Sequence, residues 1–170
     1  VDLVRGRFDL ALRIGQLPDS GLMARKLCED PRVVCASPEY VRRHGTPETL
    51  ADLPGHTAIG YLNVHSAQVW QFIDDAAEVV GVPMQSRITA NNGEAMRDMA
   101  IAGLGITLLP LFIAHEALES GRLIRISEHL KPTPLPISAV WPPGRPMPMK
   151  LRAIIDHLAS AFSGQSPWVG

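Results

Sequence analysis

Three polar side chains that could bind a small anion lie close together in the sequence, between a short strand and a helix. Thr89, Asn91 and Asn92 lie at the end of a strand predicted for residues 84–89 and precede an amphipathic stretch. The free N–H groups of a helix N-terminus, together with its positive dipole end, favour a carboxylate or another small anion. The three side chains add donors and acceptors beside those groups. An ordinary capped turn is the alternative, because most helix starts need a cap.

The elements on either side must position these side chains. Asn91 is the predicted N-cap of the helix, and Glu94, three residues later, completes a capping box. Gly103 suits the left-handed position just past a helix end. Residues 106–109 are then typical of a buried strand, and Pro110 is placed to open the next helix. The whole stretch predicts a strand, a helix, a glycine turn and a second strand.

Sequence motifs of the familiar enzyme classes are absent. The sequence contains no G-x-S-x-G, no H-E-x-x-H, no P-loop and no dinucleotide fingerprint. Its six histidines show no i, i+3 or i, i+4 pairing. We therefore expect no catalytic residue, no metal site and no cofactor. The alternative is an enzyme whose catalytic residues are dispersed over an α/β fold, which leaves no local motif.

The two cysteines, Cys28 and Cys35, have the spacing of neither a redox motif nor a zinc site. They either face each other across a hairpin or are separate buried thiols, and we favour buried thiols because we expect a cytosolic protein.

Composition limits the classes of partner. The 170 residues are 46% hydrophobic and 19% charged, as in a soluble globular protein of one domain or two small ones. The net charge is −1 and no dense basic stretch is present, so we expect this chain alone not to bind DNA specifically. No apolar run approaches the roughly 18–20 residues of a membrane span, so we expect no membrane partner.

Strand and helix patterns alternate along the chain, which favours an α/β architecture. The predicted strands are 8–14 (a buried strand), 22–27, 32–36, 57–62, 69–73, 79–82, 84–89, 106–109, 123–126 and 135–141, with 22–27 and 32–36 joined by a turn. The predicted helices are the end of one at 1–6, then 38–44, 47–53, the helix after Asn91, 110–119 and 149–162.

Four strings, in order, resemble the effector-binding domain of LysR-type bacterial transcription regulators. They are VDLVRGRFDLALRIGQLPDSGLMARKL, VVCASPEYVRRHGTPETLADLPGH, TANNGEAMRDMAIAGLGITLLP and PLPISAVWPPGRPMPMKLRAIIDHLASAF, which span nearly the whole chain. The resemblance implies two α/β subdomains of the type II periplasmic-binding-protein kind around a cleft. Residues 1–35 plus 137–170 would form an incomplete first subdomain, and 36–136 the second. Ser37 and Pro38, at one crossing, would serve as the hinge.

The resemblance also implies a small-molecule effector, an organic acid or an aromatic compound. Thr89, Asn91, Asn92 and Gly93 match family positions near the effector. Ile106 and Thr107 match the opposite wall of the cleft, although Ile106 also fits a core position. Arg13 matches a strand end at the cleft and could hold a carboxylate bidentately, with a surface arginine or a structural ion pair as the alternative.

By the same resemblance, the protein would be cytoplasmic and would form a homodimer or homotetramer. Promoter DNA would be bound only through an N-terminal winged helix-turn-helix, which this chain lacks. An incomplete first subdomain would expose a sheet edge and an apolar face, which favours self-association. Two alternatives share the scaffold: a type II solute-binding module of a transport system, and an enzyme.

Overall fold

The chain folds into two compact units, as a computed structural model describes it for residues 8–17, 21–62, 69–143 and 147–162 and for the backbone of 164–165. The first unit comprises Val1–Asp30 and Pro134–Gly170, and the second comprises Pro31–Thr133. The chain therefore passes between the units after Asp30 and again after Thr133, a few residues before each predicted subdomain boundary. The helix end predicted at 1–6 lies outside the described residues.

Twelve strands and four α-helices are found in the described part of the chain. The strands are β1 (Ala11–Ile14), β2 (Met23–Asp30), β3 (Arg32–Ala36), β4 (Ala58–Tyr61), β5 (Val69–Ile73), β6 (Val79–Pro83), β7 (Ser86–Ala90), β8 (Ile106–Pro110), β9 (Ile124–Arg125), β10 (Lys131–Pro132), β11 (Leu135–Trp141) and β12 (Gly164–Gln165). The helices are α1 (Pro38–His44), α2 (Gly93–Ile101), α3 (Leu111–Glu119) and α4 (Met149–Phe162). None of the described helices is long and apolar enough to cross a membrane.

The first unit is one sheet with a helix on it. The strand order is β1-β11-β2-β12, with β11 antiparallel to both β1 and β2. The apolar face of α4, which includes Leu151 and Ile155, packs against Leu27, Ile137 and Trp141 of the sheet. This burial holds α4 in place, as its apolar spacing predicted.

The prediction of a buried strand at 8–14 is wrong in part. Only Ala11–Ile14 forms a strand, and the side chains of Leu12 and Ile14 are 49% and 47% exposed. Their cross-strand partners Ala139 and Ile137 lie on the same face of the sheet and are buried beneath α4. β1 is the outer strand beside them, and the side chains of Leu12 and Ile14 are left about half exposed.

The second unit packs two sheets together. A five-stranded sheet has the order β7-β4-β8-β3-β9, with β4 parallel to β7 and β8. A three-stranded antiparallel sheet has the order β10-β5-β6. Trp70 and Phe72 of β5 pack with Val34, Ile106 and Leu108 of the larger sheet in one buried cluster. That cluster holds the larger sheet in place, and this sheet in turn positions α2.

The predicted turn between the strands that carry the cysteines is instead the passage between the units. Cys28 lies on β2 of the first unit and Cys35 on β3 of the second, so the hairpin alternative is wrong. Both thiols are free and buried, which confirms the other alternative. Burial raises the pKa of Cys28, and it raises the pKa of Cys35 to about 12.

The helix predicted at 47–53 is also wrong. The Asp52 carboxylate accepts the N–H groups of Glu48 and Thr49, at 3.1 and 2.8 Å, and the Thr49 hydroxyl at 2.8 Å. These bonds lower the pKa of Asp52, the hydroxyl bond contributing most. They hold a turn, which leads into a short 3-10 helix at Leu53–Gly55.

A buried tyrosine links α1 to the start of β4. The Tyr40 hydroxyl accepts the Thr57 N–H at 3.2 Å and lies 3.3 Å from Nδ1 of His56, to which it can donate its own proton. The Tyr40 ring also stacks on His44, with centroids 4.3 Å apart. Burial lowers the pKa of His56; nearby His44 lowers it further and Asp52 raises it.

Gly105→Ala should destabilise the second unit. A Cβ at Gly105 would lie 2.4 Å from the backbone oxygen of Thr57, which accepts the first N–H of β8 at 2.9 Å. Urea unfolding should show a loss of about 1–3 kcal/mol, because the backbone must shift to make room. Gly55→Ala is the control, since its Cβ would meet nothing within 4 Å. Equal losses in the two variants would contradict this close approach.

Stability should fall in acid partly through His56. Because its pKa is lowered in the folded protein, the unfolded chain binds the proton first as pH falls through about 6.5. Stability is then lost over that window and levels off below the folded-state pKa. Urea unfolding between about pH 7.5 and 5 should show a smaller pH dependence for His56→Gln than for the unsubstituted chain. The exposed His157 provides the control, His157→Gln; an unchanged dependence in His56→Gln would refute the role.

Candidate functional site

The parallel strands of the second unit bring their carboxyl ends to one edge of the sheet. β4 ends at Tyr61, β7 at Ala90 and β8 at Pro110, and Tyr61 is level with Ala90 in the strand register. In open α/β sheets, ligands bind outside the carboxyl ends of the strands. Thr89, Asn91 and Asn92 are exposed at this edge, as their sequence position predicted.

Asn92, and not Asn91, is the N-cap of α2. Asn92 has an extended backbone (φ −143°, ψ 157°), and its Oδ1 accepts the Ala95 N–H at 2.7 Å. The predicted Asn91–Glu94 capping box is therefore wrong, because the helix begins one residue later than expected. Asn91 is left outside the cap, on the turn that leads out of β7.

Gly93 and Gly103 set the two ends of α2. A Cβ at Gly93 would lie 2.3 Å from Cδ1 of Ile113 on α3, so this position permits the close approach of the two helices. Gly103 has a φ of 77° and donates to the Ala100 carbonyl, while Leu104 donates to the Met99 carbonyl. This pair of bonds is a Schellman motif, and it confirms the predicted helix end.

Ile106 and Thr107 do not reach the edge where Asn91 lies. Both are fully buried, and the Thr107 hydroxyl donates to the Ile59 carbonyl at 3.3 Å. The register pairs Ile106 with Ala58, at the start of β4, so both residues lie towards the opposite end of the sheet. Both side chains are part of the buried core of the second unit.

The other predicted residues have separate surroundings. Arg13 belongs to the first unit, where it is half-buried and opposite Ser138 on β11. Ser37 and Pro38 lie inside the second unit, at the start of α1, where the Ser37 hydroxyl accepts the Tyr40 N–H at 3.2 Å. Ser37 therefore acts as a helix cap, away from the two points where the chain leaves its unit.

Sequence reasoning missed Arg32, which ties the ends of the second unit together. Its Nε donates to the Thr133 carbonyl at 2.5 Å, and its Nη2 donates to the Thr133 hydroxyl and, at 3.4 Å, to the Gln71 carbonyl. Burial lowers the pKa of Arg32 to about 10. The available signal was an arginine at the head of an otherwise apolar strand, directly after Pro31. Among the described residues, no group of three metal-binding side chains occurs.

Comparison with known proteins gives one family. The model of the LysR substrate binding domain matches residues 1–163. The transcriptional regulator CrgA of Neisseria meningitidis is 33% identical over 159 residues, which cover 93% of this chain and 52% of CrgA. The regulator PtxR of Pseudomonas aeruginosa is 36% identical over 169 residues, covering 98% and 53%. The chain thus spans about half the length of these relatives.

Solved structures agree. The regulatory domain of Neisseria meningitidis CrgA, a LysR-type regulator, matches with a TM-score of 0.80 and 31% identity over 95% of this chain and 78% of that one. The full-length virulence activator AphB of Vibrio cholerae matches with a TM-score of 0.76 and 30% identity, over 94% and 54%. The predicted α/β fold of two subdomains is confirmed by these likenesses.

Asn92→Ala should destabilise the chain by about 1 kcal/mol, because the Ala95 N–H loses its acceptor. Asn92→Asp should retain most of the stability, since aspartate caps equally well. Gln85→Ala, at an exposed position outside the cap, is the control and should change the free energy of unfolding by less than about 0.5 kcal/mol. If urea unfolding showed a larger loss of stability in Asn91→Ala than in Asn92→Ala, Asn91 would be the N-cap instead.

Proposed function

The chain belongs to the LysR substrate-binding domain family, and from that premise we propose that it is the effector-sensing part of a DNA-binding transcriptional regulator. Its effector is a small organic acid, aliphatic or aromatic. The relatives described above are transcriptional regulators, which favours this role over transport or catalysis.

The start of α2 is the observation that carries the choice of ligand. The helix begins at the carboxyl edge of the parallel strands, and its first N–H groups point out of the helix. One of them is occupied by the Asn92 side chain, so the others are available to a carboxylate. Thr89 and Asn91 are exposed beside them and add side-chain hydrogen bonds to the ligand.

Arg13 is a second candidate for the effector carboxylate, on the first unit. A guanidinium suits a bidentate carboxylate contact, and Arg13 is half-buried on β1.

Effector binding would act by favouring one conformer of the regulator over another, since a ligand shifts an equilibrium only by its difference in affinity for the two states. The hinge for this change lies at the connections after Asp30 and Thr133, where the chain leaves its compact unit, and not at Ser37 and Pro38 inside the second unit.

We further propose that the regulator is cytoplasmic, forms a homodimer or homotetramer, and binds promoter DNA through a region outside this chain. The net charge of −1 and the absence of a dense basic stretch favour DNA contacts elsewhere in the protein. The exposed apolar side chains of Leu12 and Ile14 on the edge strand β1 favour self-association.

Asn91→Ala in the full-length regulator should weaken effector binding and leave the fold intact. Losing one hydrogen bond to a charged ligand raises the Kd by about tenfold. Calorimetric titration with a panel of small carboxylic acids, including benzoate and succinate, identifies a ligand and then compares the variants. Gln85→Ala is the matched control, because Gln85 is exposed just before β7, at the opposite end of that strand.

Unchanged affinity in Asn91→Ala, or an equal loss in Gln85→Ala, would remove the start of α2 from the effector site. A ligand that binds without altering the regulator's affinity for its promoter would contradict the sensing role itself.

A further inference from the structure

A cavity of about 400 Å³ opens in the second unit, away from the start of α2. It forms where β9 separates from β3: the Ile126 N–H donates to the Val34 carbonyl at 2.9 Å, and the chain then turns away towards β10. β9 and β7 are the opposite outer strands of the five-stranded sheet. The cavity is therefore separated from Asn91 and Asn92 by the width of that sheet.

Cations dominate the wall of this cavity. Arg32, Arg125 and Lys131 line it, against one carboxylate, that of Glu128. None of the four makes an ion pair within the described part of the chain, whereas most other arginines of the second unit do. Those pairs are Arg42 and Arg43 with Glu39, Arg97 with Asp98, and Arg122 with Glu116. Three positive charges thus meet at one cavity without a carboxylate bound to them.

Arg32 is held in place before any ligand arrives. Its Nε and Nη2 are fixed by Thr133 and Gln71, and all of these acceptors are uncharged. Its Nη1 takes no part in these bonds. The guanidinium is largely buried, and burial lowers its pKa to about 10. Its hydrogen bonds to uncharged acceptors therefore replace only part of the hydration that the positive charge has lost. A fixed and poorly solvated cation binds an anion more strongly than an exposed, mobile one does.

We propose that this cavity binds a small oxyanion, a molecule carrying a carboxylate or phosphate group, at a second site distinct from the start of α2. Arg32 supplies the fixed donor at the base of the site. Arg125 on β9 and Lys131 on β10 are exposed, and their side chains contact the bound anion. Glu128, which also lines the cavity, offers an acceptor for a hydroxyl or amino group of the ligand.

Calorimetric titration of this chain with inorganic phosphate and, separately, with citrate at constant ionic strength tests the site. We expect at least one probe to bind with a Kd on the order of 1 mM and to raise the melting temperature. Arg125→Gln/Lys131→Gln should raise that Kd at least about tenfold, since two charged contacts are lost. Both side chains are exposed, so the double variant should melt like the unsubstituted chain when no probe is present.

Two control variants test whether the anion binds in this cavity and not elsewhere on the chain. Arg122→Gln removes an exposed cation that pairs with Glu116 and does not line the cavity, so it should leave the Kd unchanged. Asn91→Ala should also leave it unchanged, which distinguishes this cavity from the start of α2. Binding of citrate alone identifies a carboxylate ligand, and binding of phosphate alone a phosphate ligand; either supports the proposal.

Three results would overturn the proposal. One is no binding of either probe up to about 10 mM, which is weaker than two or three charged hydrogen bonds predict. Another is a loss of affinity in Arg122→Gln equal to that in the double variant, which would indicate attraction to net charge alone. The third is a loss of affinity in Asn91→Ala with none in the double variant, which would place the anion at the helix and not in the cavity.

Discussion

The parallel pairing of β4 with β7 and β8 is the constraint on which the candidate site depends. It places the carboxyl ends of the strands on one edge and sends the chain from β7 directly into α2. The pairing in turn requires close backbone contact at Gly105, where a side chain would collide with the Thr57 carbonyl. A glycine outside the site thus permits the geometry that delivers Asn91 and Asn92 to it.

Local signals predicted the elements well wherever the deciding contacts are close in sequence. The bounds of α1 and α4 are those expected, because a serine cap followed by proline and a long apolar face each define a helix without outside help. The same locality explains the errors. Asn91 and Asn92 have the same side chain, which can cap a helix, and only the backbone conformation makes Asn92 the N-cap. At 47–53 the expected helix start gave way to an Asp52 turn that competes for the same N–H groups.

The candidate site was predictable only in part. Thr89, Asn91 and Asn92 lie together because they are neighbours in the chain. Predicting that Thr107 is buried requires the strand register, which places it in the core. Predicting the role of Arg32 requires its contacts with Thr133 and Gln71, which lie 101 and 39 residues away and which no local pattern contains. Resemblance to a family identified the fold, but it did not distinguish an exposed side chain at the candidate site from a buried one.

The Arg32–Thr133 contact has a consequence for the modularity of the protein. These two residues stand beside the points where the chain enters and leaves the second unit, so the ends of Pro31–Thr133 lie side by side. A segment with adjacent ends resembles an inserted domain: a short linker can close it into a ring, or a surface loop of another protein can accept it. The second unit is thus suited to expression apart from the first, and to insertion into another protein.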